Sequence, residues 1–440
     1  TLAAAIEAAQ NGDTVKLLAN ETVDSTISVN KNLALDLNGK TLTGTSCRAL
    51  HITGGKLELT GSGTVTSSTV IDVRSSVIRV GRNTGGSRLV IGKDVVIEAP
   101  ASYGVGAFGT VTTETLTIYG TVKSTTATNE SYDGCAVTTL GTDTTTPATI
   151  TIKEGAVISA EHTNAVYLPA GTLIVEGGTI TGTTGIYFKS TNMTISGGTI
   201  TGNGAAQNYE YYGNGGISTG EAVTIDSCNY PGGVGSVVIS GGTFTSANAD
   251  AVGSYNSEGG TKQTNFITGG TFSSDPTAYV AEGYVAMKND NGTWTVIAPT
   301  AIENGVTIKG IAGYEHRAFA TVEDAYDEIK PKVAALGGLG QETCSKEEFV
   351  ALYTDDAKIT WTIYGKQALV AGSEGKDAHT FTFGRAASYY RNDCNIAAII
   401  VKGGNDSAAL DLSATEGKVC MVGRSLPGRH KESDNHIRSH

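Results

Sequence analysis

The stretch LIVEGGTITGTTGIYFKSTNMTISGGTITG, residues 173–202, decides the fold. It contains two near-copies, VEGGTITG at 175–182 and ISGGTITG at 195–202, set 20 residues apart. Each copy is a short alternating strand, a glycine corner and the start of another strand. Successive strand residues point to opposite faces, so Met193, Ile195 and Ile200 should face inward and Thr194 and Ser196 outward. The unit recurs as LALDLNGKTLTG (33–44), LELTGSGTVTS (57–67), ITIKEGAVISA (150–160), VVISGGTFTS (237–246) and NFITGGTFSS (265–274). LVIGKDVVIEA (89–99) and LTIYGTVKST (116–125) are looser copies.

A second element lies between these copies: a small residue, then apolar residues flanking one variable position. It reads ALHI (49–52), VIDV (70–73), AVYL (165–168), GIYF (185–188), GIST (216–219) and AVGS (251–254), with GVGAF and CAVTTL as weaker members. Each period therefore holds at least two strands, the pattern of a coil of parallel strands rather than of hairpins. One rung of ~20 residues buries about five aliphatic side chains at roughly 1.5–3 kcal/mol each. Ordering its backbone costs roughly 1–2 kcal/mol per residue. A lone rung is unstable on those terms, and only a stacked array folds. At ~22 residues per rung, residues 30–298 would make about 12 rungs, a rod of roughly 60 Å.

Composition agrees with many short strands and turns. Glycine is abundant (58 residues), proline scarce (8), and charged residues make up 17%. The net charge of −12 argues against a nucleic-acid partner. No apolar run reaches the ~18–20 residues that span a bilayer, so no membrane insertion is expected. The chain starts at Thr1, and the expectation is a processed part of a longer polypeptide. The six cysteines form no CxxC pair, which speaks against a zinc site. They read as small buried side chains, with a Cys394–Cys420 disulfide left open. No metal and no cofactor is expected.

An array needs closed ends. LAAAIEAAQ (2–10) reads as a short capping helix with Leu2, Ile6 and Ala9 on one face and Gly12 as its stop signal. With that helix, TLAAAIEAAQNGDTVKLLANETVDSTISVNKNLALDLNGKTLTG (1–44) looks like the opening of a right-handed parallel β-helix of the pectin-lyase-like superfamily. GGTFSSDPTAYVAEGYVAMKNDNGTWTV (269–296) resembles the closing segment of β-helix surface proteins of gut-dwelling bacteria. The resemblance implies an all-β fold, a right-handed parallel β-helix over residues 1–298. It is specific for fold and weak for activity.

A second module is expected over 299–423. Glycine repeats thin out after Pro299, and TVEDAYDEIKPKVAAL (321–336) has helical patterning. Ile359, Trp361, Ile363, Gly365 and Lys366 repeat the spacing of Leu33, Leu35, Leu37, Gly39 and Lys40. The expectation is a smaller α+β module that restarts a second β-helix with its own capping helix. SKEEF (345–349) has capping-box form and suggests an inserted helix. Residues 424–440, with three of the seven histidines, read as an unstructured or appended tail rather than a metal site.

The chemistry is harder to place. Resemblance to pectate lyases would imply acidic calcium ligands with an Arg or Lys base, and polygalacturonase relatives would carry paired aspartates and Gly-His-Gly. Neither signature occurs, and the acidic pair in TDD (354–356) lies outside the repeats. The variable positions of the second strand form a column of His51, Asp72, Thr138, Tyr167, Tyr187 and Ser218. His51, Asp72, Arg74 and Arg79, with Arg48 and Arg82 nearby, offer an anionic-sugar site or an acid–base pair. They equally read as exposed charge pairing worth under ~1 kcal/mol per pair. Tyr167 over Tyr187 is either a flat carbohydrate platform or a stabilising ladder. Tyr209, Tyr211 and Tyr212 in NYEYYGNGG (208–216) add adaptable binding-loop chemistry; the stretch reads equally as a merely long loop.

The leading expectation is a non-catalytic extracellular module, secreted or on a bacterial cell surface. It would bind a host or dietary polysaccharide or a host glycoprotein such as a mucin or a secreted antibody. The alternatives are a carbohydrate-active enzyme (a polysaccharide lyase or glycosidase) acting on an acidic polysaccharide through His51, Asp72, Arg74 and Arg79, and a rigid spacer.

Overall fold

The computed structural model describes residues 1–46, 48–68, 75–82, 86–109, 113–128, 132–139, 148–207, 216, 218–227, 233–256, 260–321, 324–325, 327–329, 360–364, 369–370, 400–404 and 410–411. The chain divides into two units, residues 1–301 with 316–318, and residues 302–315 with 319–440.

The first unit is a right-handed parallel β-helix. Three strands make each turn, one in each of three parallel sheets, and the chain passes through the first, second and third sheet in that order. Nine full turns run from Thr14–Lys16 to Val252–Asn256, about 40 Å of coil. This is fewer than the 12 rungs expected, because the turns are longer than the tight repeat suggests. In the first sheet Leu173 lies beside Met193 and Met193 beside Val237. One turn therefore takes from 20 residues (173 to 193) to 44 (193 to 237).

Alternation builds the core. The first-sheet strand Leu33–Asp36 alternates buried and half-buried residues, and the same pattern recurs at Thr149–Ile152. Inward residues stack in register from turn to turn: Leu35, Leu59, Ile91, Ile118, Ile152, Val175, Ile195 and Ile239 form one such column, all fully buried. Outward positions of the first two sheets carry threonines and ion pairs between turns, such as Lys123–Glu98 at 2.6 Å and Lys153–Glu176 at 2.6 Å. Such exposed pairs are worth ~1 kcal/mol or less.

The corner between first and second sheets is nearly constant, two to four residues in every turn from Leu33 onward. In its GG form the two glycines have different tasks. A methyl on Gly197 would lie 2.6 Å from the Glu176 carbonyl oxygen of the turn below, and Gly198 sits at φ 94°. The first permits close stacking and the second permits the bend.

Both ends are closed. The helix Leu2–Ala8 is capped by Thr1 Oγ1, which accepts from Ala4 N at 3.3 Å, and it buries Leu2 and Ile6 against the first turn. Lys31 Nζ donates to the helix-end carbonyls of Glu7 and Ala9, each at 2.8 Å, favourable for a cation at that end. At the other end Gly270–Phe272 pairs antiparallel with Trp294–Ile297, which pairs antiparallel with Val285–Lys288. Phe244 and Phe272 stack at 4.8 Å inside the last turns, and Arg317 lies 4.9 Å over the Trp294 ring.

In the second unit, Thr360–Tyr364 pairs in parallel with Ile400–Gly404, and the next strand, Leu369–Val370, pairs in parallel with Leu410–Asp411. Each of the two strands thus pairs with one 40 to 41 residues further along the chain. Thr360–Tyr364 also pairs antiparallel with Gly305–Lys309, a contact the sequence pattern does not signal. Residues 324–325 and 327–329 are helical, with Ala325 and Ile329 buried and Tyr314 Oη donating to Glu328 Oε1 at 3.2 Å. SKEEF, Cys394, Cys420 and the tail 424–440 lie outside the described residues.

Candidate functional site: the outer face of the third sheet

The third sheet differs from the other two. Its outward positions are largely buried, and the long interruptions of the turns fall at its two borders. Residues 125–136 and 203–222 precede its strands, and 139–148 and 228–233 follow them.

The mid-sheet outward column reads Ser28, His51, Arg79, Gly106, Thr138, Tyr167, Tyr187, Thr224 and Gly253, each in register with the next. This corrects the expected column at two turns. The strand beside His51 is Ser76–Gly81, so Arg79 and not Asp72 is its neighbour. The strand after Tyr187 is Val223–Ser227, so Thr224 takes the place given to Ser218. Asp72, Arg74, Tyr209, Tyr211 and Tyr212 lie outside the described residues.

Along the coil the face changes character. Its first third is basic. His51 Nε2 lies 2.8 Å from the Gly81 carbonyl, so that nitrogen carries the hydrogen and donates. Burial, and then repulsion from Arg79, Arg48 and Arg82, lower the His51 pKa against that hydrogen bond, favouring the neutral ring. Arg79 is pushed down to about 10 by burial and by Arg48 and Arg82. Its guanidinium lies 5.2 Å over the Phe108 ring, and that of Arg82 lies 5.9 Å over it. Phe108 folds back across Gly106, where a methyl would sit 2.5 Å from the ring. The Glu114 side chain packs beneath Gly81.

The middle third is aromatic. Tyr103, Cys135, Tyr167 and Tyr187 form a buried cluster outside the main core, with Tyr132 and Tyr255 packed on it. The Tyr167 and Tyr187 rings stand 5.9 Å apart at 56°, a tilted contact. They are only 3% and 1% exposed, so they present no open platform, and their packing fits the ladder reading. Tyr103 Oη donates to Asp133 Oδ1 at 3.1 Å. Cys135 forms no disulfide and donates to the Tyr132 carbonyl at 3.2 Å; burial pushes its thiol pKa well up.

The last third is a buried polar network. Tyr187 Oη donates to Asp226 Oδ2 at 3.1 Å, and Lys189 Nζ lies 3.5 Å from the same oxygen. Asp226 is fully buried and Lys189 is 1% exposed, and a charge pair this deep persists only when hydrogen-bonded as well. Beside it, Glu221 accepts from Thr224 Oγ1 at 2.5 Å and from Tyr255 Oη. Gly253 leaves the space that the Glu221 carboxyl fills. Burial pushes the Glu221 carboxyl up to about 7 against those hydrogen bonds, with Asp250 adding to the rise.

The sequence reading missed Phe108, Lys189, Glu221, Asp226 and Tyr255. Lys189 follows directly on GIYF, and Asp226 and Tyr255 are its counterparts on the next two turns, so correct register would have found them. Among the described residues no three His, Cys, Asp or Glu side chains are placed to hold a metal ion, and no helix is long and apolar enough to cross a membrane.

Fold and face define a class: a parallel β-helix whose third sheet is bordered by segments of varying length and whose face passes from basic through aromatic to a buried polar network. No family model, no curated protein and no solved structure matches the chain.

Proposed function

We propose that the coil is a non-catalytic binding module of an extracellular bacterial surface protein, adhering to a host or dietary glycan or a mucosal glycoprotein through its third sheet. The observation that carries this reading is where the turns vary in length. The corner between first and second sheets stays at two to four residues while the borders of the third sheet take all the long interruptions. A purely structural rod has no reason to concentrate variation along one face, whereas loops on a rigid scaffold commonly carry recognition. The surface placement rests on the resemblance of the closing segment. Binding to arrayed glycans, mucin and secreted antibody tests the proposal. At least one partner is expected, with affinity falling tenfold or more when Tyr209, Tyr211 and Tyr212 of the 203–222 interruption become alanine. Silence on every surface would remove the adhesion reading.

A second reading, an enzyme acting on an acidic polysaccharide, is favoured by one observation. A buried carboxyl whose pKa is pushed up to about 7, as that of Glu221 is, suits a general acid. New reducing or unsaturated ends from polygalacturonate, abolished by Glu221→Gln, would support it; no product over a long incubation would dismiss it.

A further inference from the structure

The basic third of the face is built around one aromatic ring. Two arginines separated by two residues converge on one aromatic ring: Arg79 at 5.2 Å and Arg82 at 5.9 Å from the Phe108 centroid. Several features build that seat. Phe108 reaches its place only because the next position in the column is the bare Gly106. Arg82 is held at φ 72°, a conformation uncommon for a residue with a side chain, and its amide donates to the Phe108 carbonyl at 2.9 Å. The Arg79 Nε is buried and makes no hydrogen bond among the described residues. Like charges so placed repel each other, and a buried guanidinium donor lacking a partner is costly. An oxyanion lying against the accessible edges of the two guanidinium groups would relieve that repulsion, since the planar fork matches carboxylate and sulfate oxygens.

We propose that Arg79 and Arg82, seated on Phe108 with His51 alongside, form a binding site for a single oxyanion group, a carboxylate or sulfate ester, carried by a saccharide. This rests on the binding-face reading and names the ligand class of its basic end. The patch is local and the whole chain carries a net charge of −12, so a densely charged polyanion is repelled at longer range. A glycan with isolated anionic groups is not.

The test compares 3′-sulfolactose and 3′-sialyllactose with neutral lactose, and inorganic sulfate alone, by calorimetry on the full chain. The charged sugars are expected to bind at least tenfold more tightly than lactose, with the difference shrinking as salt rises. Arg79→Gln/Arg82→Gln should abolish that discrimination. Arg88→Gln, on an exposed first-sheet position, should leave it intact. Arg82 is exposed, so Arg82→Gln alone keeps the test valid if the double variant misfolds, and it should lose at least threefold. Equal affinity for charged and neutral sugars, retention by the variants, or no binding would overturn the site. Sulfate binding without sugar binding would overturn the saccharide and leave a free-anion site. A glycan or mucosal partner found on the arrays whose affinity ignores both arginines would sink this site while the adhesion reading stands.

Discussion

At the scale of single residues, the face is governed by what each outward position does to its neighbours' charge. Glu221 is the clearest case. Its folded carboxyl is raised from 4.5 to about 7, so the folded state holds the proton more tightly than the unfolded chain. The stability it contributes is complete below about pH 4.5 and is lost as pH rises through 7. A shift of that size corresponds to about 3 kcal/mol. Glu221→Gln should therefore reduce the fall in urea midpoint between pH 5 and pH 8. His51, lowered rather than raised, acts in the opposite sense, but it is common to both proteins and cancels in the difference. Identical pH slopes for the two would show that Glu221 is not held as described.

At the scale of the element, the corner and the strand were not equally legible. GGTITG states its own geometry, because only glycine meets both demands of that corner, and the twenty-residue copies give the period directly. Gly198→Ala should cost about 1–2 kcal/mol through its positive φ, read as a lower denaturation midpoint; an unchanged midpoint would mean the corner relaxes. The third-sheet strands were ambiguous for a physical reason. One turn contains VIDV at 70–73 and VIRV at 77–80, which alternate identically. Only pairing with Leu50–Ile52 selects the second, and pairing is not written locally. The tyrosines show a different limit. Alternation correctly places Tyr167 and Tyr187 on the outer face in register, but whether an outward side chain is covered depends on distant parts of the chain. Lys189, Asp226 and Glu221 were missed for the same reasons, since their burial and pairing exist only once the turns are stacked.

At the scale of the coil as a whole, the turns are alike in cross-section and unlike in length. Strands lie across the long axis of the coil, so their hydrogen bonds lie along it, and tension between its two ends loads those bonds turn by turn. Each turn that peels away would lengthen the tether by the residues it contains, at about 3.5 Å per residue. A turn of 20 residues gives about 70 Å and one of 44 gives about 150 Å. Stretched between residues 1 and 298, the chain should give an uneven staircase whose step sizes follow turn length; a single rupture would mean that the turns fail together. A chain built in this way would act as a shock absorber, giving up length in graded instalments under load while the turns not yet peeled keep their side chains in place.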